Sequence, residues 1–335
     1  MPSRTSLSSA VTEHGDVLQV KVPLPFPLRF VNSYLLPGPD GWTLIDPGLR
    51  TEAAELLWES VLVEREIGFD QIERIVLTHH HPDHYGLAGW FQERAGGVPV
   101  MMSRTAWEHT RLLWGEGQSM AETLMALFRT NGLPAEHEEA MRENMDSFVQ
   151  SVSPQPEVTF IDETAKVRLG MDDYEPIHTP GHASGHLCFY RAETATMFCG
   201  DHVLPQISPN VSYLPLGIDE NPLASYMASL EQISRYEVRL AFPGHREPFT
   251  HLQQRAKELI VHHRERLESM RAHLTEPRTA YDVCRAAFGD KLSVHQLRFA
   301  LSETMAHLIW LREVGTVMAV EQHGIIRYEQ KKGSS

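Results

Sequence analysis

The chain has 335 residues, 42% hydrophobic and 22% charged, a globular composition that excludes a disordered or collagen-like polymer. Lys and Arg number 30 against 44 Asp and Glu, and the resulting net charge of −14 denies the molecule the overall positive field of a dedicated nucleic-acid binder. Histidine, the commonest metal-ligating side chain, occurs 19 times, which is out of line with everything else in the composition.

The N-terminal stretch MPSRTSLSSAVTEHGD is polar and lacks the apolar core of a signal peptide. No run approaches the roughly 18–20 apolar residues of a membrane span, so the expectation is a cytoplasmic protein with no membrane partner. Val17 to Val22 alternates as a strand, and Pro23, Pro25 and Pro27 then impose an irregular or edge segment. Val31–Leu36 and Trp42–Ile45 flank Pro-Gly-Pro-Asp-Gly and read as a hairpin. A helix is expected over Thr51–Glu66, a buried strand over Ile72–Leu77, a helix over Leu87–Glu93 and a strand over Val98–Met102. That alternation implies a layered α/β domain. Residues 105–150 are helical in pattern, rich in Met, and broken at Asn131-Gly132-Leu133-Pro134. They read as an inserted helical hairpin, serving either as surface packing or as a lid over a site.

Strands are expected again at Val158–Ile161, Lys166–Leu169, Tyr174–His178, His186–Tyr190 and Ala195–Cys199. A helix over Leu223–Tyr236 precedes a last strand at Arg239–Phe242. The main domain is placed at 1–260, and residues 261–335 at a linker helix and a small module. The long helix spans His251–Leu274; Ala280–Phe288, Val294–Ala300 and Ser302–Val314 read as three short helices, and Thr316–Glu321 with Gly324–Glu329 as a hairpin. Three helices and a ribbon look like a winged helix. With only Arg298 and Arg312 between Ser293 and Val314 it is too weakly basic for a DNA reader, so packing or a homodimer is expected of it.

The chemistry is concentrated in four histidine-bearing segments. Thr78-His79-His80-His81-Pro82-Asp83-His84-Tyr85-Gly86 follows an apolar strand and puts several imidazoles and a carboxylate on one strand-to-helix loop, a density a solvated turn has no use for. His178-Thr179-Pro180-Gly181-His182-Ala183-Ser184-Gly185-His186 forms a turn between two strands. Gly200-Asp201-His202 and Pro243-Gly244-His245 each follow a further strand. Acids and histidines at several strand ends imply one rim of a sheet gathered around a metal site. The three cysteines, Cys188, Cys199 and Cys284, form no CxxC pair and read as buried, reduced thiols.

With Asp46 in Leu44-Ile45-Asp46-Pro47-Gly48, these motifs make the chain resemble, over roughly Val17–His251, the metallo-β-lactamase superfamily. The resemblance implies an αββα sandwich. It implies that His79, His81 and His182 hold one metal, that Asp83, His84 and His245 hold a second, and that Asp201 bridges them. Asp46 and His178 would support these ligands by hydrogen bonds, His80 would stand aside, and His202 is a weaker candidate for a substrate contact. Nitrogen and oxygen donors suit two Zn²⁺ per chain, with Fe or Mn also accepted.

Family hydrolases use a metal-bound hydroxide, and Asp83 would be the catalytic residue handling the proton of the attacking water. Thr179-Pro180-Gly181-His182 and Gly200-Asp201 are most similar to the glyoxalase-like group, which implies a small-molecule acyl substrate such as a thioester. No Arg/Lys cluster for glutathione is evident. The C-terminal module also resembles that of superfamily members cleaving single-stranded RNA, an alternative that the net charge disfavours, and a mononuclear-iron persulfide dioxygenase is a third reading.

Overall fold

A computed structural model describes residues 10–115, 120–215 and 217–331. The first nine residues, 116–119 of the insertion and 332–335 of the C-terminal module therefore lie outside the described residues. In chain order the first half comprises β1 (Val11–His14), β2 (Val17–Pro23), β3 (Phe30–Pro37), β4 (Trp42–Ile45), α1 (Glu52–Glu64), β5 (Ile72–Val76), α2 (Pro82–Tyr85), α3 (Ala88–Arg94), β6 (Val100–Met102), α4 (Arg104–Trp114), α5 (Ala121–Thr130), α6 (Glu138–Gln150) and β7 (Val158–Phe160). The seven strands form one sheet in sequence order, antiparallel from β1 to β4 and parallel from β4 to β7. Each parallel step needs a crossover, and the helices between these strands provide it.

A second sheet has the order β12-β11-β10-β9-β8. It is built from β8 (Val167–Leu169), β9 (Asp172–His178), β10 (Leu187–Arg191), β11 (Thr196–Gly200) and β12 (Leu240–Pro243), with α7 (Pro222–Ile233) crossing between the last two. Strand alternation explains the layering. Tyr34, Ile45 and Val76 point from the first sheet into the space between the sheets and meet Phe189, Phe198 and Phe242 of the second. Their chain neighbours Leu35, Leu44 and Ile75 face the other way, where Trp58 of α1 and Phe91 of α3 are buried. On the far side Cys188, Met197 and Ala241 belong to the same apolar cluster as Tyr226 and Leu230 of α7. The four layers are thus helix, sheet, sheet, helix, as expected.

The C-terminal part has α8 (Leu252–Ala272), α9 (Ala280–Phe288), α10 (Val294–Glu313), and the antiparallel ribbon of β13 (Val317–Gln322) and β14 (Ile325–Gln330). The expected domain boundary at 260/261 falls within the continuous helix α8.

Three expectations differ from the structure. Strand β1 was not anticipated, although it pairs with β2 over four residues. Among its described residues the insertion holds three α-helices rather than a hairpin. Val294–Ala300 and Ser302–Val314 are one helix, because Ser302, Glu303 and Thr304, polar enough to suggest a break, are buried with partners. Thr304 donates to the Ala300 carbonyl one turn back, and Glu303 accepts from Arg266 of α8 at 2.6 Å.

Candidate metal centre

The ends of β4, β5, β11 and β12 and the turn between β9 and β10 converge on one edge of the sandwich, bringing together every residue expected to ligate a metal. The ligating atoms of His79, His81 and His182 lie within 4.8 Å of one another, and so do those of Asp83, His84 and His245. His79 Nε2 is 3.1 Å from His81 Nδ1, which is 2.9 Å from His182 Nε2. In the other group His245 Nε2 is 3.3 Å from Asp83 Oδ2, and His84 Nε2 is 4.0 Å from it. Asp201 stands between the two groups. Its Oδ2 is 3.6 Å from His182 Nε2 and 3.3 Å from His245 Nε2, and its Oδ1 is 3.5 Å from His84 Nε2.

Each of four imidazoles is held by the nitrogen facing away from this centre. Asp46 Oδ2 takes His84 Nδ1 at 2.9 Å, while the carbonyls of Asn210 and Phe30 accept from His182 and His245 Nδ1 at 2.8 and 2.9 Å. Thr78 donates its hydroxyl to Asp46 Oδ2 at 2.6 Å and is therefore free to accept from His79 Nδ1 at 2.9 Å. These outer bonds fix the rings and aim Nε2 of His79, His84, His182 and His245 inward. Asp46, His79 and His84 also form a compact acid–histidine group. Its facing atoms are already engaged with one another and with Thr78, so it acts as a brace. Asp46 adopts a positive φ of 50°, a region Asp tolerates better than most residues, and it also accepts from the Thr78 amide at 2.8 Å.

The electrostatics divide the site. Burial and neighbouring imidazoles hold His79 and His81 well below the usual histidine range, and burial lowers His182 as well, so these three are neutral donors. Burial also opposes charge on His84 and His245, but Asp201 and Asp83 outweigh it, with Asp46 adding at His84. His84 is driven well up and His245 to about 10. Against their own burial, Asp83 and Asp201 are held below the usual carboxylate range by His84 and His245. His84 Nε2, His245 Nε2 and Asp201 Oδ1 are buried without a hydrogen-bond partner, an arrangement that calls for an explanation. A divalent cation held there would satisfy all three. Thiolates take no part: burial pushes Cys188 up to about 12, and Cys199 Sγ sits 3.4 Å from the Val203 carbonyl.

Gly244 is required by close approach, since a Cβ there would meet Asp201 Oδ1 at 2.2 Å and His84 Cε1 at 2.6 Å. The loop bearing it is pinned from the first sheet by Asn32 Nδ2 and Tyr34 Oη, which donate to the Pro243 carbonyl at 2.9 and 2.6 Å.

Three other histidines of these motifs belong to none of the candidate ligand groups among the described residues. His178 is exposed and engages the Ser184 carbonyl through Nε2 at 2.7 Å; it braces the turn carrying His182 rather than a ligand side chain. His80 is buried beside His109, ring centroids 5.5 Å apart, and is no part of either ligand group. His202 is fully buried against Tyr226 and does not line the cavity.

The candidate ligands His81, His182, Asp83, Asp201 and His245 line a cavity of about 360 Å³. The remaining walls are mainly apolar: Phe26 and Leu28, then Leu113, Leu124, Met145 and Phe148 of the insertion, then Leu204 and Ile207. The insertion is therefore a wall of the site and also a packed element: the amide of Tyr281 in α9 donates to the Asn131 carbonyl at 3.1 Å. Helix α10 closes the cavity with His295, Arg298, Phe299 and Ser302.

Arg298 is 8% exposed, its Nε has no partner, and among the described residues no carboxylate is within ion-pair distance. Its guanidinium lies 4.3 Å from the Phe299 ring centroid and 5.5 Å from that of Phe148, and Nη1 meets Met145 Sδ at 3.0 Å. Such ring contacts contribute about 2 kcal/mol each when desolvated. Burying an ion costs several kcal/mol, so the rings and a weak sulfur acceptor offset that only in part.

The sequence reading did not foresee the supporting roles of Thr78, Asn210, Asn32 and Tyr34, or the presence of Arg298 in the cavity. Only Thr78 carried a local cue, its place at the head of the histidine block. The others act through tertiary contacts or backbone carbonyls, which leave no mark in sequence spacing.

A four-layer αββα sandwich with a seven-residue His/Asp cluster at one edge defines a class. Residues 26–245 match the metallo-beta-lactamase superfamily model and residues 267–331 match the metallo-beta-lactamase-like C-terminal domain, so the chain belongs to the metallo-beta-lactamase superfamily. It is a metallo-hydrolase of that superfamily with an added C-terminal domain. It is 34% identical to a metallo-beta-lactamase family protein, TTHA1429, from Thermus thermophilus, with a TM-score of 0.83 over 94% of this chain and 99% of that one. A Beta-lactamase domain protein from Burkholderia ambifaria gives 28% and 0.83 over 98% and 97%. Among curated relatives, "Probable metallo-hydrolase YqjP" of Bacillus subtilis (strain 168) is 28% identical over 88% of this chain and 91% of its own. The "Atrochrysone carboxyl ACP thioesterase" of Aspergillus fumigatus is 27% identical over 70% and 56%.

Proposed function

We propose that this metallo-hydrolase is a two-zinc enzyme that cleaves a thioester or related acyl ester. The observation that carries this reading is the cavity: the candidate metal ligands share one space with Phe, Leu, Met and Ile side chains. An apolar acyl chain gains by burial there, at about 25 cal/mol per Å² removed from water, whereas a polyanionic backbone would lose its hydration. A relative named as a carboxyl ACP thioesterase supports the same substrate class. Two metals are favoured because Asp201 faces His182 on one side and His84 and His245 on the other.

Divalent metal in this site supplies Lewis acidity toward a carbonyl oxygen and lowers the pKa of water. His79, His81 and His182 would hold one ion and Asp83, His84 and His245 the other, with Asp201 shared. Asp83, one-fifth exposed and on the cavity wall, is the carboxylate placed to take a proton beside a bound substrate. The apolar walls orient the acyl chain and exclude bulk water from the reacting end.

The test is a substrate panel with zinc-reconstituted protein: acyl thioesters, lactones and single-stranded RNA, each run with wild type and His81→Ala. Thioester or ester turnover lost in His81→Ala is the expected result. RNA cleavage lost in His81→Ala, with no acyl turnover, would overturn the reading in favour of a phosphodiesterase.

A further inference from the structure

We infer that the substrate carries a carboxylate at the end of its acyl part remote from the scissile bond, and that Arg298 receives it. This rests on the acyl-hydrolase reading and narrows it to a carboxylated acyl group. The unpaired charge of Arg298 points to an anionic ligand. Arg298 is a buried cation on the cavity wall whose Nε has no partner and whose only side-chain hydrogen-bond contact among the described residues is a thioether. No acid among the described residues compensates it, whereas the nearby Arg266 is paired with Glu303 at 2.6 Å.

The chemistry of the wall selects the anion. A guanidinium offers two parallel N–H donors that match a carboxylate, and on this wall Ser302, four residues on in α10, adds a hydroxyl. The other titratable group facing the cavity from α10 is His295, stacked on Phe26 with centroids 4.9 Å apart. Burial, with a further contribution from the charge of Arg298, holds His295 down at about 4, so it stays neutral near pH 7. One guanidinium therefore balances one negative charge: a carboxylate is matched, and a phosphate dianion would leave a net charge among apolar walls. Burial lowers Arg298 only to about 10, so it remains a cation at neutral pH. The metal ligands and Arg298 line one cavity, together with the apolar side chains of Leu124, Met145 and Phe148. The ligand this describes is an acyl chain with a reactive ester at one end, an apolar middle and a carboxylate at the other.

The test is equilibrium binding to the zinc-loaded protein, so it does not depend on turnover. Straight-chain monocarboxylates and α,ω-dicarboxylates of about four to ten carbons, lengths suited to a pocket of this size, are compared by calorimetry. Both classes offer one carboxylate to the metals and only the second offers another to Arg298. At the best-fitting length the dicarboxylate should bind at least about tenfold tighter. That advantage should vanish in Arg298→Met, which keeps the apolar volume, and survive in part in Arg298→Lys. Equal affinity of the two classes for wild type, a comparison that needs no variant, would overturn the proposal. So would an advantage that persists undiminished in Arg298→Met, or an ω-phosphonate binding more tightly than the matched dicarboxylate. Failure of the acyl-hydrolase reading would show differently, as binding of the dicarboxylate with no thioester or ester turnover.

Discussion

At the residue scale, the arrangement of the site depends on groups that never meet a metal. Asp46 holds His84 Nδ1 and takes both the amide and the hydroxyl of Thr78, which in turn accepts from His79. One carboxylate thereby orients a residue of each ligand group. Asp46→Asn would put an amide NH₂ or a lone carbonyl where His84 and Thr78 both need an acceptor. Loss of such an outer partner costs about 10–100-fold in metal affinity. Chelator-competition titration of Asp46→Asn should show a drop of that size with the far-UV spectrum unchanged; wild-type affinity would show that the brace is dispensable. The ligands themselves were legible in the sequence because their types and spacing are local: four histidines and an acid between His79 and His84, then single residues at strand ends. Asn210 was not legible, since it serves His182 through a backbone carbonyl that any residue possesses.

At the element scale, the junction of α7, α8 and α10 contains two fully buried histidines. His307 donates Nδ1–H to the Glu303 carbonyl at 2.8 Å and so accepts from His263 Nδ1 at 3.2 Å. Tyr226 of α7 packs edge-on to His263, and His262 and Arg266 of α8 face the pair with Glu303 of α10. Burial, reinforced for His263 by His307, His262 and Arg266, holds His263 down at about 2. Burial holds His307 down at about 4, Arg266 and His262 adding to it against the Glu303 carbonyl.

In the unfolded chain both titrate near the ordinary 6.5. The unfolded state therefore binds more protons below that pH, and the contribution to stability is complete above about 6.5 and shrinks as pH falls toward 4. The melting temperature should decline across this interval, and a His263→Gln/His307→Gln double variant should show a shallower decline. A wild-type melting temperature flat from pH 6.5 to 4 would refute the assignment. The continuity of α10 escapes the sequence for a related reason. Ser302, Glu303 and Thr304 look like a helix boundary by type, and only tertiary partners on α8 and in the Asn210 loop make them interior.

At the scale of the whole molecule, the C-terminal part is built into the site. Asn210, whose carbonyl holds His182, donates its side-chain amide to Glu303 at 3.0 Å, and Glu303 pairs with Arg266. A single apolar cluster runs from Val20 and Trp58 through the insertion to Leu301 and Tyr328. Both parts should accordingly unfold together. Denaturant curves followed by far-UV dichroism and by tryptophan fluorescence, in variants retaining only Trp58 or only Trp310, should coincide. Separate midpoints would mean that the C-terminal part is an independent appendage.

The sandwich order and the convergence of the motifs on one rim were legible because strands alternate and because the turns carry Gly and Pro. The cavity was not legible, because its walls come from Phe26, the insertion, the loop after β11 and α10, segments far apart in the chain with no shared pattern. Among the described residues no helix is long and apolar enough to cross a membrane.

We propose that the His/Asp cluster makes this cavity a metal-dependent acyl hydrolase. This is tested most directly by acyl-thioester turnover measured against metal content, from chelator-stripped protein up to two equivalents of zinc. No turnover is expected in the stripped protein, and activity should rise with metal occupancy until the site is filled. Turnover that survives complete stripping, or its absence at two bound zinc ions per chain across the thioester and ester series, would contradict it.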